Sequence, residues 1–240
     1  LAMRYNKPSI KNELSKMEKE QYDEIIVLPL YPQYASSSNG TAIEEVMRSI
    51  SKWWVIPNIK IISEFFENEG YLESIKARTN EFDLDSYDHI LISFHGLPSR
   101  HVKKVHLDNT DCASNNCTKE INNNNRYCYQ ANAYQTARLI AAKLNLSEDQ
   151  YSICFQSRLD DKWLKPYTDK EVIVKAKAES KKLLVLSPAF VSDCLETTIE
   201  IGDGFQELFI ENGGEILDLV PSLNAHPRWV KAVKDIILNS

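Results

Sequence analysis

One histidine of this 240-residue chain follows a predicted strand directly, which is a common place for a functional side chain. His95 comes after Asp88 to Phe94, a mostly apolar run that predicts a strand buried on both faces. Gly-Leu-Pro follows and predicts a turn. An imidazole titrates close to neutral pH, so His95 could act as a general base or bind a metal ion. The structural alternative is a strand-end histidine that hydrogen-bonds to a neighbouring carbonyl group.

Five acidic residues form a second candidate group, because they recur at offsets of 0, 4, 7, 11 and 15 residues and so share one face of a predicted α-helix. They are Glu196, Glu200, Asp203, Glu207 and Glu211. Acids on a surface helix are usually only solvated, and Asp193 with Glu196 also fits a capping box. Their position after a buried strand favours a site, since carboxylates and imidazole suit a first-row divalent ion such as Fe²⁺.

Three cysteines lie in the segment from His101 to Gln130, which is rich in Asn and shows no periodicity. A loop of that length inside a compact domain is usually functional or disordered. Cys112, Cys117 and Cys128 have four and ten residues between them. Three thiols in a loop suit a metal or iron–sulfur site better than a core, although no Cys-x-x-Cys pair and no fourth ligand is evident.

The remaining cysteines and histidines are expected in structural settings. Cys154 and Cys194 fall in predicted strand and helix, where a cysteine usually packs as a small hydrophobic residue. The other histidines lie in predicted turns or loops and are not assigned a function. They are His89, His101, His106 and His226.

The composition is that of a globular protein and excludes several classes. Hydrophobic residues make up 43%, enough for a sizeable core in one or two domains. With 28 Lys and Arg against 34 Asp and Glu, the net charge of −6 argues against a nucleic-acid partner. Neither a dinucleotide fingerprint nor a P-loop is present, so no nucleotide is expected. The odd count of five cysteines favours a reducing compartment, hence a cytoplasmic protein, and the start at Leu1 suggests a fragment without its true N-terminus.

Strand-length apolar runs alternate with helix-length amphipathic stretches along the chain, which predicts a doubly wound α/β fold with parallel sheets. The longest predicted helix runs from Ser192 to Asn212, and the last runs from Pro227 to Leu238. The segment from Asp83 to Ser86 is the best candidate for a domain boundary. Because ligands bind beyond the carboxyl ends of strands in such sheets, the polar and aromatic residues after each strand predict a shared site for a large, flat or polar ligand.

Six stretches of this chain resemble ferrochelatases, the enzymes that insert Fe²⁺ into porphyrin. They are Leu28 to Tyr34, Ser93 to Pro98, Phe155 to Arg158, Trp163 to Asp169, Ser192 to Thr197 and Pro221 to Asn224. They occur in the family's order and span nearly the whole chain. The resemblance implies two Rossmann-like chelatase-type domains, the first incomplete. The expected divisions are residues 1–85 and 86–225, with 226–240 as a closing helix that packs back on the first domain.

The resemblance also implies roles for individual residues. His95 and Glu196 match the catalytic pair that faces the porphyrin, and the expected metal path comprises His95, Glu196, Glu200 and Asp203. The residues expected to bind the porphyrin are Arg4, Tyr31, Ser36, Leu97 and Trp163. Some family members carry a [2Fe–2S] cluster, which Cys112, Cys117 and Cys128 would hold here.

The implied reaction is insertion of Fe²⁺ into protoporphyrin IX or coproporphyrin with release of two protons. Iron and porphyrin would be the substrates, in a cytoplasmic monomer or homodimer with peripheral contact to the inner membrane. Two alternatives stay open: a chelatase that places cobalt or nickel in another tetrapyrrole, and a non-catalytic porphyrin- or haem-binding module.

Overall fold

The computed structural model describes residues 1–106 and 110–240, and in these ranges six strands alternate with eight α-helices. The strands are β1 Glu24–Val27, β2 Asn58–Ile61, β3 His89–His95, β4 Tyr151–Gln156, β5 Lys182–Leu186 and β6 Ile216–Leu219. The α-helices are α1 Ile10–Glu20, α2 Thr41–Ile50, α3 Glu69–Thr79, α4 Ser99–Lys103, α5 Tyr129–Leu144, α6 Thr168–Lys177, α7 Gln206–Glu211 and α8 Pro227–Leu238. Two π-helices, π1 Ser36–Gly40 and π2 Glu196–Phe205, lead into α2 and α7.

The strands form two parallel sheets, which confirms the predicted α/β class. β1 pairs with β2 in the smaller sheet, and the larger sheet has the order β4-β3-β5-β6. From β3 the chain crosses to β4 on one side of it, and it then returns to form β5 on the opposite side of β3. The strand order therefore reverses between β3 and β5, and the crevice beyond their carboxyl ends is where open α/β sheets bind ligands.

The two central strands hold their position because they are apolar on both faces. Six of their apolar side chains have no exposed surface: Leu91, Ile92, Phe94, Leu183, Leu184 and Val185. Burying a side chain of this size contributes roughly 1.5–3 kcal/mol relative to leaving it in water. The carboxyl ends of β3 and β5 are therefore a rigid base for the loops that follow them.

Helix α8 packs against α3, which lies beside the larger sheet and carries Tyr71. The rings of Phe65, Tyr71 and Trp229 contact one another with centroids 5.5–6.0 Å apart. A Cβ atom at Gly70 would lie 2.8 Å from the Cβ of Ala232, so this close helix crossing needs a glycine. The division of the chain at residues 85 and 225 stays a prediction.

Three local expectations are wrong. Helix α1 was not predicted, although Ser9 caps it by accepting a hydrogen bond from the Asn12 N–H. His101, which was also expected in a turn or loop, lies in α4. His89 lies not in a turn but at the start of β3, where it is buried and contacts the Ser152 hydroxyl at 2.8 Å.

Over the described residues no helix is both long enough and apolar enough to cross a bilayer. The expectation for His101 to Gln130 holds for the part that the structure describes, which is mainly turns apart from α4 and the start of α5. Residues 107–109 of that segment lie outside the described residues.

Candidate functional site

His95 ends β3 at the point where the strand order reverses, and its side chain is half-buried. Its Nδ1 lies 2.6 Å from the Gly96 carbonyl oxygen. Because a carbonyl only accepts, Nδ1 is the donor of this hydrogen bond, so the lone pair of the neutral form of the ring lies on Nε2. The hydrogen bond expected of a structural histidine is thus present, and it leaves Nε2 able to accept a proton or bind a metal ion.

A close backbone contact fixes the turn after His95. The Gly96 N–H donates to the Gln156 carbonyl oxygen at 2.7 Å, and a Cβ at Gly96 would lie 2.8 Å from that oxygen. Only glycine fits without a backbone shift. On the other side the Tyr129 hydroxyl donates to the His95 carbonyl oxygen at 2.9 Å. The backbone of His95 is therefore held from β4 and from α5.

Two aromatic rings flank the imidazole. The ring of Trp163 lies 6.4 Å from that of His95 and the ring of Phe190 lies 6.0 Å from it, centroid to centroid. A backbone bridge to Pro98 positions Trp163, and the Leu164 N–H donates to the Leu97 carbonyl oxygen at 2.9 Å. Both rings are half-buried, so each keeps exposed surface that a flat ligand could contact.

Glu196 opens π2 and lies within electrostatic range of His95. The pKa of Glu196 is below its usual value, chiefly because it accepts a hydrogen bond from Cys194 and one from its own N–H, with a smaller effect from the charge of His95. Burial opposes this shift only in part. Glu196 is therefore a carboxylate at neutral pH, and it lies close enough to the imidazole for the two groups to interact electrostatically.

Gln156 links the two candidate residues. It is paired with His95 across the β3–β4 ladder, and its Nε2 donates to the Glu196 carbonyl oxygen at 3.1 Å. The buried Ser93 hydroxyl donates to its Oε1 at 2.6 Å. Since both ends of this buried amide are satisfied, Gln156 fixes the start of π2 relative to the end of β3.

Ser157 fixes Glu200, the second acid of π2. Its backbone N–H donates to a Glu200 carboxylate oxygen at 2.8 Å, and its hydroxyl donates to the other oxygen. Ser157 has a φ of 61°, a conformation that costs a non-glycine residue roughly 1–2 kcal/mol. Such strain is found mainly where function or packing requires it.

The predicted stripe of five acids is wrong, because its first part is not α-helical. Residues Glu196–Phe205 form a π-helix, whose i→i+5 hydrogen bonds place more residues in each turn. Residues four apart, such as Glu196 and Glu200, remain neighbours, but a residue seven positions on turns away from the first. Asp203 is exposed and does not continue the row, so its assignment to the metal path loses its geometric basis.

Asp193 does not form a capping box with Glu196. Its carboxylate accepts from the Ser222 N–H at 2.9 Å and from the Asn224 side chain at 2.7 Å. Burial would raise the pKa of Asp193, but these hydrogen bonds outweigh it and hold the pKa below its usual value. Asp193 therefore connects the loop after β6 to the segment that leads into π2.

Two of the residues expected to bind porphyrin follow β1, at the carboxyl end of the smaller sheet. Tyr31 is about half exposed, and burial of the remainder raises its pKa, with a further contribution from Tyr5. The buried Asn39 side chain donates to the Tyr31 carbonyl oxygen at 2.9 Å and so fixes this loop. Ser36 is exposed at the start of π1, and the Arg4 Nε donates to the Thr41 carbonyl oxygen at 2.9 Å.

The loops after β1 and β5 are joined through α3. The buried Tyr71 hydroxyl donates to the Pro188 carbonyl oxygen at 2.5 Å, two residues before Phe190. Gln33, two residues after Tyr31, is buried and donates to the Thr136 hydroxyl at 3.1 Å. Tyr71 also makes a side-chain contact with Gln33. The strand-end loops of the two sheets therefore share one set of buried contacts.

A group of four metal-ligating side chains lies beyond α4, and it includes a residue that the sequence did not indicate. One ligand atom each of His106, Cys112, Cys117 and Cys128 lies within 4.8 Å of all the others. Hydrogen bonds from the Cys112 and Cys117 thiols hold the pKa of Cys128 far below its usual value. His106 thus lies where a fourth ligand would stand, a position that spacing alone could not identify.

Cys154 is a buried core residue as expected, and burial raises its pKa to about 12. Cys194 is only half-buried and contacts Glu196, which is not the apolar setting expected for it. Phe190, Gln156, Ser157 and His106 are the candidate site residues that sequence reasoning missed. The sequence did hold one indication of a role for Gln156, Ser157 and Phe190, because each ends or follows a buried strand.

The chain is similar in sequence to proteins of one family. A family model described as Ferrochelatase matches residues 1–240. A protein named ferrochelatase from Coxiella burnetii (strain Dugway 5J108-111) is 44% identical over 236 residues, which are 97% of this chain and 65% of that protein. A ferrochelatase from Pseudomonas putida is 38% identical over 244 residues, covering 98% of this chain and 71% of its own length. The chain thus spans 65% of the length of the Coxiella relatives.

Among solved structures, SirB from Bacillus subtilis with Fe³⁺ is similar with a TM-score of 0.61 at 15% identity, covering 98% of this chain and 79% of that one. The sirohydrochlorin chelatase SirB from Bacillus subtilis subspecies spizizenii in complex with cobalt matches with a TM-score of 0.61 at 14% identity, covering 98% and 76%. At these identities the likeness concerns the fold alone.

Proposed function

We propose that this chain, which belongs to the ferrochelatase family, inserts Fe²⁺ into a porphyrin and releases two protons. The substrate would be protoporphyrin IX or coproporphyrin, and the product would make this a late step of haem biosynthesis. Iron and porphyrin are both substrates here, and no nucleotide or nucleic acid takes part.

The observation that carries the proposal is that His95, at the end of β3, and Glu196, at the start of π2, are both held by Gln156 and interact electrostatically. The imidazole and the carboxylate interact electrostatically across the β3–β5 switch point, and two half-buried aromatic rings flank the imidazole. An imidazole base, a carboxylate and a flat apolar surface are the groups that metal insertion into a tetrapyrrole requires.

The porphyrin would lie against Trp163 and Phe190, with an edge towards Leu97. Insertion requires loss of two pyrrole protons and a buckled ring whose nitrogen lone pairs point at the incoming ion. A rigid site that fits the buckled ring better than the flat one would lower the barrier, because only interactions stronger in the transition state accelerate the reaction. The buried Gln156 and Tyr129 contacts supply that rigidity.

His95 Nε2, which keeps its lone pair while Nδ1 is bonded to Gly96, would accept a pyrrole proton or bind the iron. Glu196 is ionised and Glu200 is held by two donors from Ser157, so the two carboxylates form a short path for hydrated Fe²⁺ or for protons. Carboxylate and imidazole groups suit Fe²⁺ as ligands.

The loop after β1 would close the cleft from the other sheet. In the proposal Tyr31 and Ser36 contact the porphyrin, and Arg4 binds at its edge. Asn39 supports this by holding the Tyr31 carbonyl oxygen, and Gln33 supports it by contacting Tyr71 and donating to the Thr136 hydroxyl of α5.

Five unpaired cysteines support a cytoplasmic location, since such thiols persist in a reducing compartment. Peripheral contact with the inner membrane would give access to a hydrophobic substrate. A monomer or a homodimer is compatible with the proposal.

The test is an anaerobic insertion assay on the full-length protein that follows loss of porphyrin fluorescence. The variants His95→Ala and Glu196→Gln should each lose at least ~100-fold in rate, the range expected when a general acid or base is removed. Matched controls are His101→Ala and Glu207→Gln, which change an exposed histidine and an exposed acid of the same segments and should retain the rate.

Wild-type protein that binds porphyrin tightly but inserts no metal would refute the proposal and identify a binding module. Faster insertion of Co²⁺ or Ni²⁺ into sirohydrochlorin than of Fe²⁺ into either porphyrin would also refute it, in favour of another chelatase.

A further inference from the structure

The cysteine-rich segment encloses four ligand atoms at distances suited to one ion. The Sγ atoms of Cys112 and Cys128 are 3.6 Å apart, and Cys117 Sγ lies 3.4 Å from His106 Nε2. All four atoms lie within 4.8 Å of one another. His106, Cys117 and Cys128 are buried and Cys112 is half-buried, so the group is closed to solvent on most sides.

We infer that His106, Cys112, Cys117 and Cys128 bind a single Zn²⁺ ion as a structural site. Three cysteines and one histidine form a recurrent ligand set of closed, tetrahedral zinc sites. With Zn–S of about 2.3 Å and Zn–N of about 2.05 Å, tetrahedral angles require about 3.8 Å between two sulfurs and about 3.6 Å between sulfur and nitrogen. The observed 3.6 and 3.4 Å are close to these values.

A second feature also indicates a ligand role for His106. Its Nδ1 lies 2.8 Å from the Thr110 carbonyl oxygen, so Nδ1 donates and Nε2 presents its lone pair to the three sulfurs. Metal-binding histidines almost always donate their other N–H in this way, which fixes the tautomer and the ring orientation.

The [2Fe–2S] cluster that the family resemblance implied fits this geometry poorly. Such a cluster distributes its ligands over two irons, usually as four cysteines, so ligands of opposite irons lie further apart than ligands of one ion. Four atoms within 4.8 Å of one another leave room for one ion at their centre. The set also contains three sulfurs rather than four.

The surrounding loop holds the ligands in place. The buried Asn125 side chain donates to the carbonyl oxygens of Asn115 and Glu120, both at 2.9 Å, which crosslinks the turns between Cys112 and Cys128. These hydrogen bonds hold the backbone of the loop close to the conformation in which the four ligands surround one ion.

The ion would connect the loop to the candidate active site. His106 follows α4, which begins four residues after His95, and Cys128 directly precedes α5. The first residue of α5 is Tyr129, whose hydroxyl donates to the His95 carbonyl oxygen. Zinc would thus join the residue after α4 to the residue before α5, the helix whose Tyr129 holds the His95 backbone. The inference does not rest on metal insertion activity.

Elemental analysis of the full-length protein, purified anaerobically from medium that contains both iron and zinc, tests the inference. We expect about one zinc and no stoichiometric iron or sulfide per chain, and no visible colour. Replacement of the ion by Co²⁺ should give the ligand-field bands of a tetrahedral site and a thiolate charge-transfer band.

The variants His106→Ala and Cys117→Ala should reduce the zinc content at least tenfold, whereas His106→Cys should keep it, because four thiolates also bind zinc. Cys154→Ala, a cysteine of the core, is the matched control and should keep the zinc. If a variant fails to fold, metal exchange in the wild-type protein remains decisive. Two irons with two sulfides, one iron alone, or a metal-free protein with native stability would each overturn the inference.

Discussion

Replacing Ser157 by alanine removes one of the two hydrogen bonds that hold the Glu200 carboxylate. The hydroxyl and the backbone N–H of Ser157 donate to different oxygens of that carboxylate, and only the N–H remains in the variant. A hydrogen bond to a charged group contributes about 1.5–3 kcal/mol. We therefore expect Ser157→Ala to lower the free energy of unfolding by about that amount.

Replacing Ser157 by glycine separates this loss from backbone strain. The glycine variant loses the same hydroxyl, but its φ of 61° is no longer strained, which returns roughly 1–2 kcal/mol. The greater conformational freedom of glycine in the unfolded chain lowers the free energy of unfolding by about 0.5–1 kcal/mol. The expected order of stability is wild type, then Ser157→Gly, then Ser157→Ala, with about 0–1.5 kcal/mol between the two variants.

Urea unfolding of the full-length protein, followed by circular dichroism, measures these differences. Ser86→Ala is the control, because the Ser86 hydroxyl makes an exposed hydrogen bond to the neutral Asp83 carbonyl oxygen and its loss should cost less than about 1 kcal/mol. A Ser157→Ala variant as stable as wild type, or a glycine variant less stable than the alanine variant, would refute the reasoning.

Three further outcomes follow from the same contacts. Gly96→Ala places a Cβ 2.8 Å from the Gln156 carbonyl oxygen and should destabilise the protein by about 1–3 kcal/mol and lower the insertion rate; native urea stability would contradict this. Tyr129→Phe removes the donor to the His95 carbonyl oxygen and should cost about 0.5–1.5 kcal/mol in the same assay, so an unchanged midpoint would disprove that bond. Burial lowers the pKa of His89 to about 4. As the pH falls, the unfolded chain is therefore protonated at this residue before the folded chain is. The contribution of His89 to the free energy of unfolding is fully present above pH 6.5 and should be lost as the pH drops from 6.5 to 4. His89→Asn should flatten that part of a thermal-melt pH profile, and an unchanged slope would exclude His89 as its source.

The regular elements with strong apolar patterns could be predicted from the sequence. Pro227 to Leu238 was predicted as a helix with the bounds that α8 has, and the apolar run before His95 appears as β3, shifted by one residue. Helix α1 carries few apolar residues, so its pattern is weak, although its cap was readable. The switch from α- to π-helix in Glu196–Phe205 could not be predicted, because apolar spacing does not report which carbonyl each N–H reaches.

The candidate site could be predicted only in part. His95 was found by its position after a predicted strand and by the family resemblance, and Glu196 was found by its position in a predicted helix and by the resemblance. Ser157 and His106 were not, since their roles depend on contacts with residues 43 and 11 positions away. No spacing rule relates His106 to the three cysteines that follow it in the same segment.

The central claim is that His95 and Glu196 act on one porphyrin as a pair. A double-mutant cycle on the single-turnover rate of Fe²⁺ insertion, with His95→Ala, Glu196→Gln and the double variant, tests this most directly. Groups that act together are non-additive, so the double variant should be no slower than the slower single variant. Rate losses that simply multiply, or a single variant that inserts iron at the wild-type rate, would contradict the account.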